Sequence, residues 1–347
     1  MTDFYRGKKV LITGHTGFKG TWLTKILLDM GAEVLGYSRC SEKDPSLFEL
    51  SGVEKQIIHV KGDVCDYRQL QETFRSFQPE VVLHLAAQPI VRESYIDPRG
   101  TYETNIMGTV NVLEAVRNTE SIKSVVIVTT DKVYQNKEWV WGYRENEALD
   151  GFDPYSNSKS CAELVTASYK RSFSSLPPIS TARAGNVIGG GDFAKDRVIP
   201  DCVRAAQRGE PILIRNPYSI RPYQHVLEPL FAYLLIAEKQ QENPTISGAY
   251  NIGPDENDCV TTEKIVKLFC QNWGDGAAWY VAREQKTLHE ANNLKLDCSR
   301  MKSVFGWKPK WHIEKCMEQT VRFSKIWLNG GNVKQEMVEQ IQRYLIS

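Results

Sequence analysis

The sequence carries almost no net charge: 43 lysines and arginines face 42 aspartates and glutamates, a formal +1, and the pI is near 7.5. Without a general basic field there is nothing to gather nucleic acid or an anionic membrane surface, so neither is expected as a partner and any phosphate recognition must be local. Also missing is an apolar run approaching the roughly 18 residues that span a bilayer. The strand-like Lys9-Val10-Leu11-Ile12 begins too soon to leave room for a signal peptide, so a cytoplasmic protein is expected. None of the eight cysteines stands in a C-x-x-C pair, which argues against a zinc site or a disulfide framework and leaves reduced thiols. No metal is expected. Internal repeats and low-complexity segments are absent as well.

Hydrophobic residues make up 41% of the 347, enough for a sizeable core in one large domain or two smaller ones. The first half alternates short apolar strands, at 10–13, 33–37, 57–60, 81–85, 125–129 and 179–184, with helices such as 21–30, ended by Gly31, and 67–77, followed by Pro79. This alternation predicts an α/β fold with a doubly wound parallel sheet of the Rossmann kind. After Gly189-Gly190-Gly191 the pattern loosens into helices at 199–207, 230–238 and 262–271 and short strands at 212–215 and 249–252. The expected division is a dinucleotide-binding domain over about 1–188, to which later segments can return, and a smaller mixed α/β substrate-binding lobe mainly over 189–347.

Thr13-Gly14-His15-Thr16-Gly17-Phe18-Lys19-Gly20 follows the first strand and opens the first helix. Three glycines there permit a tight turn and close backbone approach, while unpaired amides and the helix dipole attract a pyrophosphate. At the end of the second strand, where an acid would bind the adenosine ribose, stand Ser38 and Arg39. An arginine there either accepts the 2′-phosphate of NADP or lies in solvent, so this position leaves the cofactor open. Asp63-Val64 after the third strand could bond the adenine amino group, with Asp63 equally able to cap a helix. Leu85-Ala86-Ala87 after the fourth offers small residues beneath a cofactor.

Tyr155 and Lys159 lie four residues apart, on one face of a helix. A lysine beside a tyrosine favours the phenolate, making it a usable base for an alcohol proton. Thr129-Thr130-Asp131-Lys132 ends the fifth strand, where doubly wound folds place their chemistry. A hydroxyl, a carboxyl and an amine together suggest more than hydride transfer.

The glycine loop with Tyr155 and Lys159 resembles the extended short-chain dehydrogenases that act on nucleotide-sugars, and the resemblance runs from residue 8 to about 312. More specific are the run from Gly14 through Thr21-Trp22-Leu23, His84-Leu85-Ala86-Ala87-Gln88-Pro89, Thr129-Thr130-Asp131-Lys132-Val133-Tyr134 and Ala182-Arg183-Ala184-Gly185-Asn186-Val187-Ile188-Gly189-Gly190-Gly191-Asp192. With Arg215-Asn216-Pro217, the run from Arg221 to Pro229 and His289-Glu290-Ala291, the set is similar to the CDP-glucose branch of the 4,6-dehydratases. Many sugar-nucleotide dehydratases have glutamate after the aspartate; here it is Lys132, as in that branch.

The resemblance implies NAD, held by Gly14, Thr16, Gly17, Phe18, Lys19, Gly20, Ser38, Arg39, Asp63, Val64, Leu85, Ala86, Ala87, Asn105, Thr129, Ala184, Tyr155 and Lys159. It implies a C4 oxidation begun by Tyr155 with Thr130 and Lys159, then loss of water across C5 and C6. Asp131 would protonate the C6 oxygen and Lys132, or a neighbour it assists, would take the C5 proton. Hydride then returns to C6. By family position Asn186, Arg215 and Arg221 are candidates for the substrate phosphates, Arg197, Ile214 and His289 for the base, and Gln88 for another substrate contact. A homodimer or homotetramer and a role in 3,6-dideoxysugar and O-antigen pathways are further implications. The alternatives are a 4,6-dehydratase or C4 epimerase for another nucleotide-sugar. A non-catalytic dinucleotide-binding regulator is disfavoured by retention of both Tyr155 and Lys159.

Overall fold

A computed structural model describes residues 1–39, 45–274, 276–281 and 291–347. Its centre is a parallel sheet of seven strands: β1 (Lys9–Thr13), β2 (Glu33–Ser38), β3 (Ile58–Lys61), β4 (Val81–His84), β5 (Ser124–Val128), β6 (Ile179–Ala184) and the strand Ala249–Ile252. Across the sheet they run Ala249–Ile252, β6, β5, β4, β1, β2, β3. The order reverses between β1 and β4, and that reversal opens a crevice at the strands' C-terminal ends.

Period-two alternation divides the core. Val10, Ile12, Val81, Leu83, Val126 and Val128 join Trp22, Leu230 and Phe231 on one face. Leu11, Val82, Val125 and Ile127 join Leu70, Phe74 and Leu113 on the other. Burial on both faces explains why these strands read as nearly continuous apolar runs, and each such side chain contributes about 1.5–3 kcal/mol. The helix Tyr67–Phe77 shows the local logic: Asp66 caps it by accepting the Gln69 N–H at 3.1 Å, and Leu70, Phe74 and Phe77 form its buried stripe. It ends at Gln78, left-handed at φ 53°.

The helix that the glycine loop opens, Phe18–Asp29, begins three residues before the expected 21. Gly17 caps it and Gly20 lets its first turn pass over Gly14, so the phosphate loop is shorter than the glycine spacing suggests. β4 and β5 end at His84 and Val128, one residue early, although the Leu85 and Thr129 amides still donate to the Thr13 and Ala182 carbonyls at 3.1 and 2.9 Å; both residues line the crevice. The strand Ala249–Ile252 pairs with β6, and the helix Leu227–Glu242 packs on β5 and β6. Segments beyond residue 188 thus complete the sheet. The smaller lobe holds three two-stranded ribbons, Ile212–Ile214 with Trp279–Val281, Ile220–Pro222 with Cys259–Thr261, and Val187–Ile188 with Gln224–His225. Among the described residues no helix is long and apolar enough to cross a membrane.

Candidate active site

A cavity of about 1660 Å³ opens at the strand-order reversal, between the sheet's C-terminal edge and the smaller lobe. Gly14, with φ 77°, donates its N–H to the Tyr37 carbonyl at 2.9 Å. A Cβ there would stand 2.7 Å from the Ala86 nitrogen, and one on Gly20 would collide with the Gly14 carbonyl. The two glycines let the loop, the first helical turn and the end of β4 close on one another, with the first-turn amides lacking intrahelical acceptors. At the far end Thr16 and Ser38 share a hydrogen bond of 2.8 Å. Arg39 is mostly exposed and forms an ion pair with Asp63 at 3.9 Å. Asp63 also accepts the Cys65 N–H at 2.9 Å, so it serves as a local cap too. Val64, Leu85, Ala86 and Ala87 line the same trough.

The helix Pro154–Ser172 carries Tyr155 and Lys159 into the cavity. Asp153 caps it, accepting the Ser156 N–H at 2.9 Å and hydroxyl at 2.6 Å, and Pro154 opens the first turn. Burial pushes the Tyr155 phenol up to about 12; a hydrogen bond with Thr130 opposes the rise, Asp131 adds to it and the Arg197 cation opposes it. Burial lowers Lys159 to about 8 against the pull of Glu163, and its Nζ donates to the Val128 carbonyl at 3.1 Å. Thr130 and Arg197 thus oppose the effect of burial on the Tyr155 phenol.

Asp131 is buried at the end of β5. Its Oδ1 accepts the Thr130 hydroxyl at 3.0 Å and its Oδ2 accepts Asn186 Nδ2 at 2.9 Å. Gly185 lies against this carboxyl so closely that a Cβ would overlap it. Lys132 is half-buried, lines the cavity and forms no ion pair among the described residues. Lys19 faces the same space. Burial and the Arg197 cation lower its amine to about 7, Lys159 adds to the fall, and Asp131 and Asp192 oppose it.

Most residues expected from sequence line this cavity, including Thr129, Ala184, Asn186, Arg197, Ile214, Arg215 and Arg221. Two do not. Asn105 is buried beneath it, accepting the Gln88 N–H at 2.8 Å and donating to the Ser158 hydroxyl at 2.8 Å, so its amide staples the loop after β4 to the Tyr155 helix. Gln88 turns back on its own loop, accepting the Ile90 N–H at 2.6 Å and donating to Thr101 at 2.9 Å. Their polar groups are consumed by backbone and neighbouring side chains. Asn186, expected at a substrate phosphate, holds Asp131. Arg221 is buried, with its guanidinium on the carbonyls of Ile220 and Ala291. His289 lies outside the described residues.

Sequence reasoning missed Arg92, Asp196 and Glu163. Asp196, left-handed at φ 61°, pairs with Arg92 at 3.1 Å and Arg215 at 3.6 Å, joining the helix Val91–Ile96 to the smaller lobe. No local motif announces such a long-range pair. Glu163 had a signal, its position four residues after Lys159, but a helical glutamate ordinarily reads as solvent-exposed.

The sequence model of the GDP-mannose 4,6 dehydratase family matches residues 11–320. The chain belongs to this family. Among relatives within the dehydratases, the CDP-glucose 4,6-dehydratase of Salmonella typhimurium is 47% identical over 95% of this chain and 94% of its own length. The dTDP-glucose 4,6-dehydratase of Haemophilus influenzae is 25% identical over 90% and 97%. Of solved structures, dTDP-glucose 4,6-dehydratase from Bacillus anthracis in complex with NAD has a TM-score of 0.77 at 22% identity, covering 92% of this chain and 97% of that one. UDP-glucose 4-epimerase from Thermus thermophilus, also with NAD, has a TM-score of 0.80 at 24% identity, covering 91% and 99%. These likenesses establish the fold as that of the nucleotide-sugar epimerases and dehydratases.

Proposed function

We propose that this protein is an NAD-dependent lyase converting CDP-glucose to CDP-4-dehydro-6-deoxyglucose. The observation that carries the reading is the meeting of two groups at one edge of the cavity: Tyr155 with Lys159, and Thr130 with Asp131 and Lys132. The 47% identity to the Salmonella enzyme supports the choice of CDP-glucose.

The trough fits a dinucleotide, because the close backbone packing that Gly14 and Gly20 permit sets first-turn amides without intrahelical acceptors along its floor. The glycine loop and first-turn amides would hold its pyrophosphate, Ser38 and Asp63 its adenosine end, and Thr129, Ala184, Tyr155 and Lys159 its reactive end. Bound there, NAD supplies a reversible hydride acceptor for C4 and donor for C6. Asp63 engages Arg39, and a carboxylate at that end disfavours an added 2′-phosphate, so NAD is read in preference to NADP.

The chain's own residues carry the protons. Tyr155 accepts the C4 hydroxyl proton, with Thr130 hydrogen-bonded to its phenol and Lys159 offsetting the developing negative charge. The C4 ketone acidifies C5. Lys132, or Lys19 as the second amine near Asp131, takes the C5 proton while Asp131 gives one to the departing C6 oxygen, so one water leaves. Asn186 and Thr130 hold the Asp131 carboxyl in place for that transfer. Purified protein with NAD should convert CDP-glucose, and not its dTDP or GDP counterparts at comparable rate, to a 4-keto product carrying solvent deuterium at C5. Conversion of another nucleotide-sugar with none of CDP-glucose would reassign the substrate.

We read the chain further as a cytoplasmic homodimer or dimer of dimers whose product feeds 3,6-dideoxysugar and O-antigen synthesis. Ile96, Met107 and Leu164 are 77%, 50% and 54% exposed on the helices around 91–117 and 154–172, apolar side chains a second copy would cover. Val112, Leu113 and Val116 on the neighbouring helix pack into the subunit's own core. Light scattering at micromolar concentration should give two or four times the chain mass; a monomer would exclude the assembly.

A further inference from the structure

Behind Tyr155 and Lys159 lies a buried cluster that the reaction scheme leaves unused. Glu163 stands one turn beyond Lys159 on the same helix and face, with its side chain 3% exposed. Its Oε1 accepts the Thr129 hydroxyl at 2.5 Å; its Oε2 accepts the Thr181 hydroxyl at 2.7 Å and Arg183 Nη2 at 2.8 Å. Arg183 also donates to the Tyr134 hydroxyl at 2.8 Å and the Glu145 carbonyl at 3.0 Å, tying the segment after Lys132 to β6. Two hydroxyls and a guanidinium give this buried carboxylate the donors that an anion out of water requires. Thr129 is the first residue after β5, still bonded through its N–H to the Ala182 carbonyl, and the carbonyl just before it, on Val128, receives the Lys159 ammonium.

We infer that Glu163 is a positioning residue for this site, clamping Thr129 at the end of β5 and setting a buried carboxylate one helical turn from Lys159. The inference rests on the roles given above to Tyr155 and Lys159. Glu163 does not line the cavity, so it acts through its neighbours. The groups acting on or beside Lys159 are Glu163 on its own helix, Tyr155 one turn earlier, His84 from β4 and Lys19 from the helix that the glycine loop opens. Burial holds His84 at about 3, hence neutral, and Lys19 is a like charge. The carboxylate opposes the burial that lowers Lys159 to about 8. Without it the amine loses its proton at a lower pH still, and the phenolate loses its counter-charge there.

The test is the pH dependence with which acetic anhydride labels Lys159, read by mass spectrometry, since this needs neither nucleotide-sugar nor turnover. In Glu163→Gln the midpoint should fall by about 1 pH unit, and the alkaline limb of turnover should move down with it. In Glu163→Asp, which keeps the charge, both should stay near the parent values. Glu163→Gln alone leaves the Arg183 guanidinium buried without its carboxylate. Should the single variant not fold, the same labelling compares Glu163→Gln combined with Arg183→Met against Arg183→Met alone, which keeps the carboxylate, and the combined variant's midpoint should lie about 1 pH unit lower. A midpoint unchanged on removal of the Glu163 carboxylate, in the parent or in the Arg183→Met background, overturns the inference even where turnover is lost. A shifted midpoint with no turnover of CDP-glucose by the parent counts against the functional reading alone.

Discussion

Phenylalanine at position 155 should lower the rate of C4 oxidation by roughly 10³–10⁴-fold, the upper part of the range for a lost acid–base group. The ring occupies the same buried volume, so the melting temperature should stay close to the parent's. What disappears is the proton acceptor for the C4 hydroxyl, along with the hydrogen bond between Thr130 and the phenol. Thr130 keeps its bond to Asp131 at 3.0 Å, so the elimination machinery remains in place. Single-turnover measurement of the near-ultraviolet change that accompanies C4 oxidation reads this step directly. A variant retaining a tenth or more of the parent rate would remove Tyr155 from its assigned role.

Asp131→Asn should behave differently. An asparagine can still accept from Asn186 and engage Thr130, so the local network survives, but it has no carboxylic proton to give the C6 oxygen. C4 oxidation should proceed near the parent rate while loss of water slows by roughly 10²–10⁴-fold, so the oxidised sugar accumulates. Rapid quenching followed by mass spectrometry distinguishes the 4-keto sugar that still holds its C6 hydroxyl from the one that has lost water. Full turnover by the variant would place the acid elsewhere. The two substitutions thus block successive steps, although Thr130 touches both side chains.

Features set by local chemistry were legible in the sequence. Apolar runs marked the strands, glycines the phosphate loop, and four-residue spacing put Tyr155 and Lys159 on one helical face. Legibility failed where a polar side chain had two physically sensible partners. Asn186 could face a phosphate or a carboxylate, and only the approach of Gly185 to Asp131 decides between them. Asn105 and Gln88 could have met ligands, but buried backbone groups nearby claimed their amides. Asp196 with Arg92 and Arg215 is a tertiary coincidence of distant segments, for which no periodicity exists. The glycine loop misled in a smaller way, because Gly20 within the first turn lowers helix propensity, while Gly17 at the N-cap and tertiary packing start the helix at Phe18 regardless.

The return of Ala249–Ile252 to the central sheet bears on how this chain is made and handled. Its partner strand β6 ends at Ala184, so the ribosome must deliver a long intervening stretch before that edge is sealed. Until then β6 offers a row of unpaired amides and carbonyls, a template for another chain. The helix Leu227–Glu242, which roofs β5 and β6, arrives in the same delayed instalment. Late pairing of this kind slows folding, because loop-closure entropy is spent before the contact forms. A fragment cut near residue 188 would therefore keep six of the seven strands with β6 left as an unpaired, sticky edge.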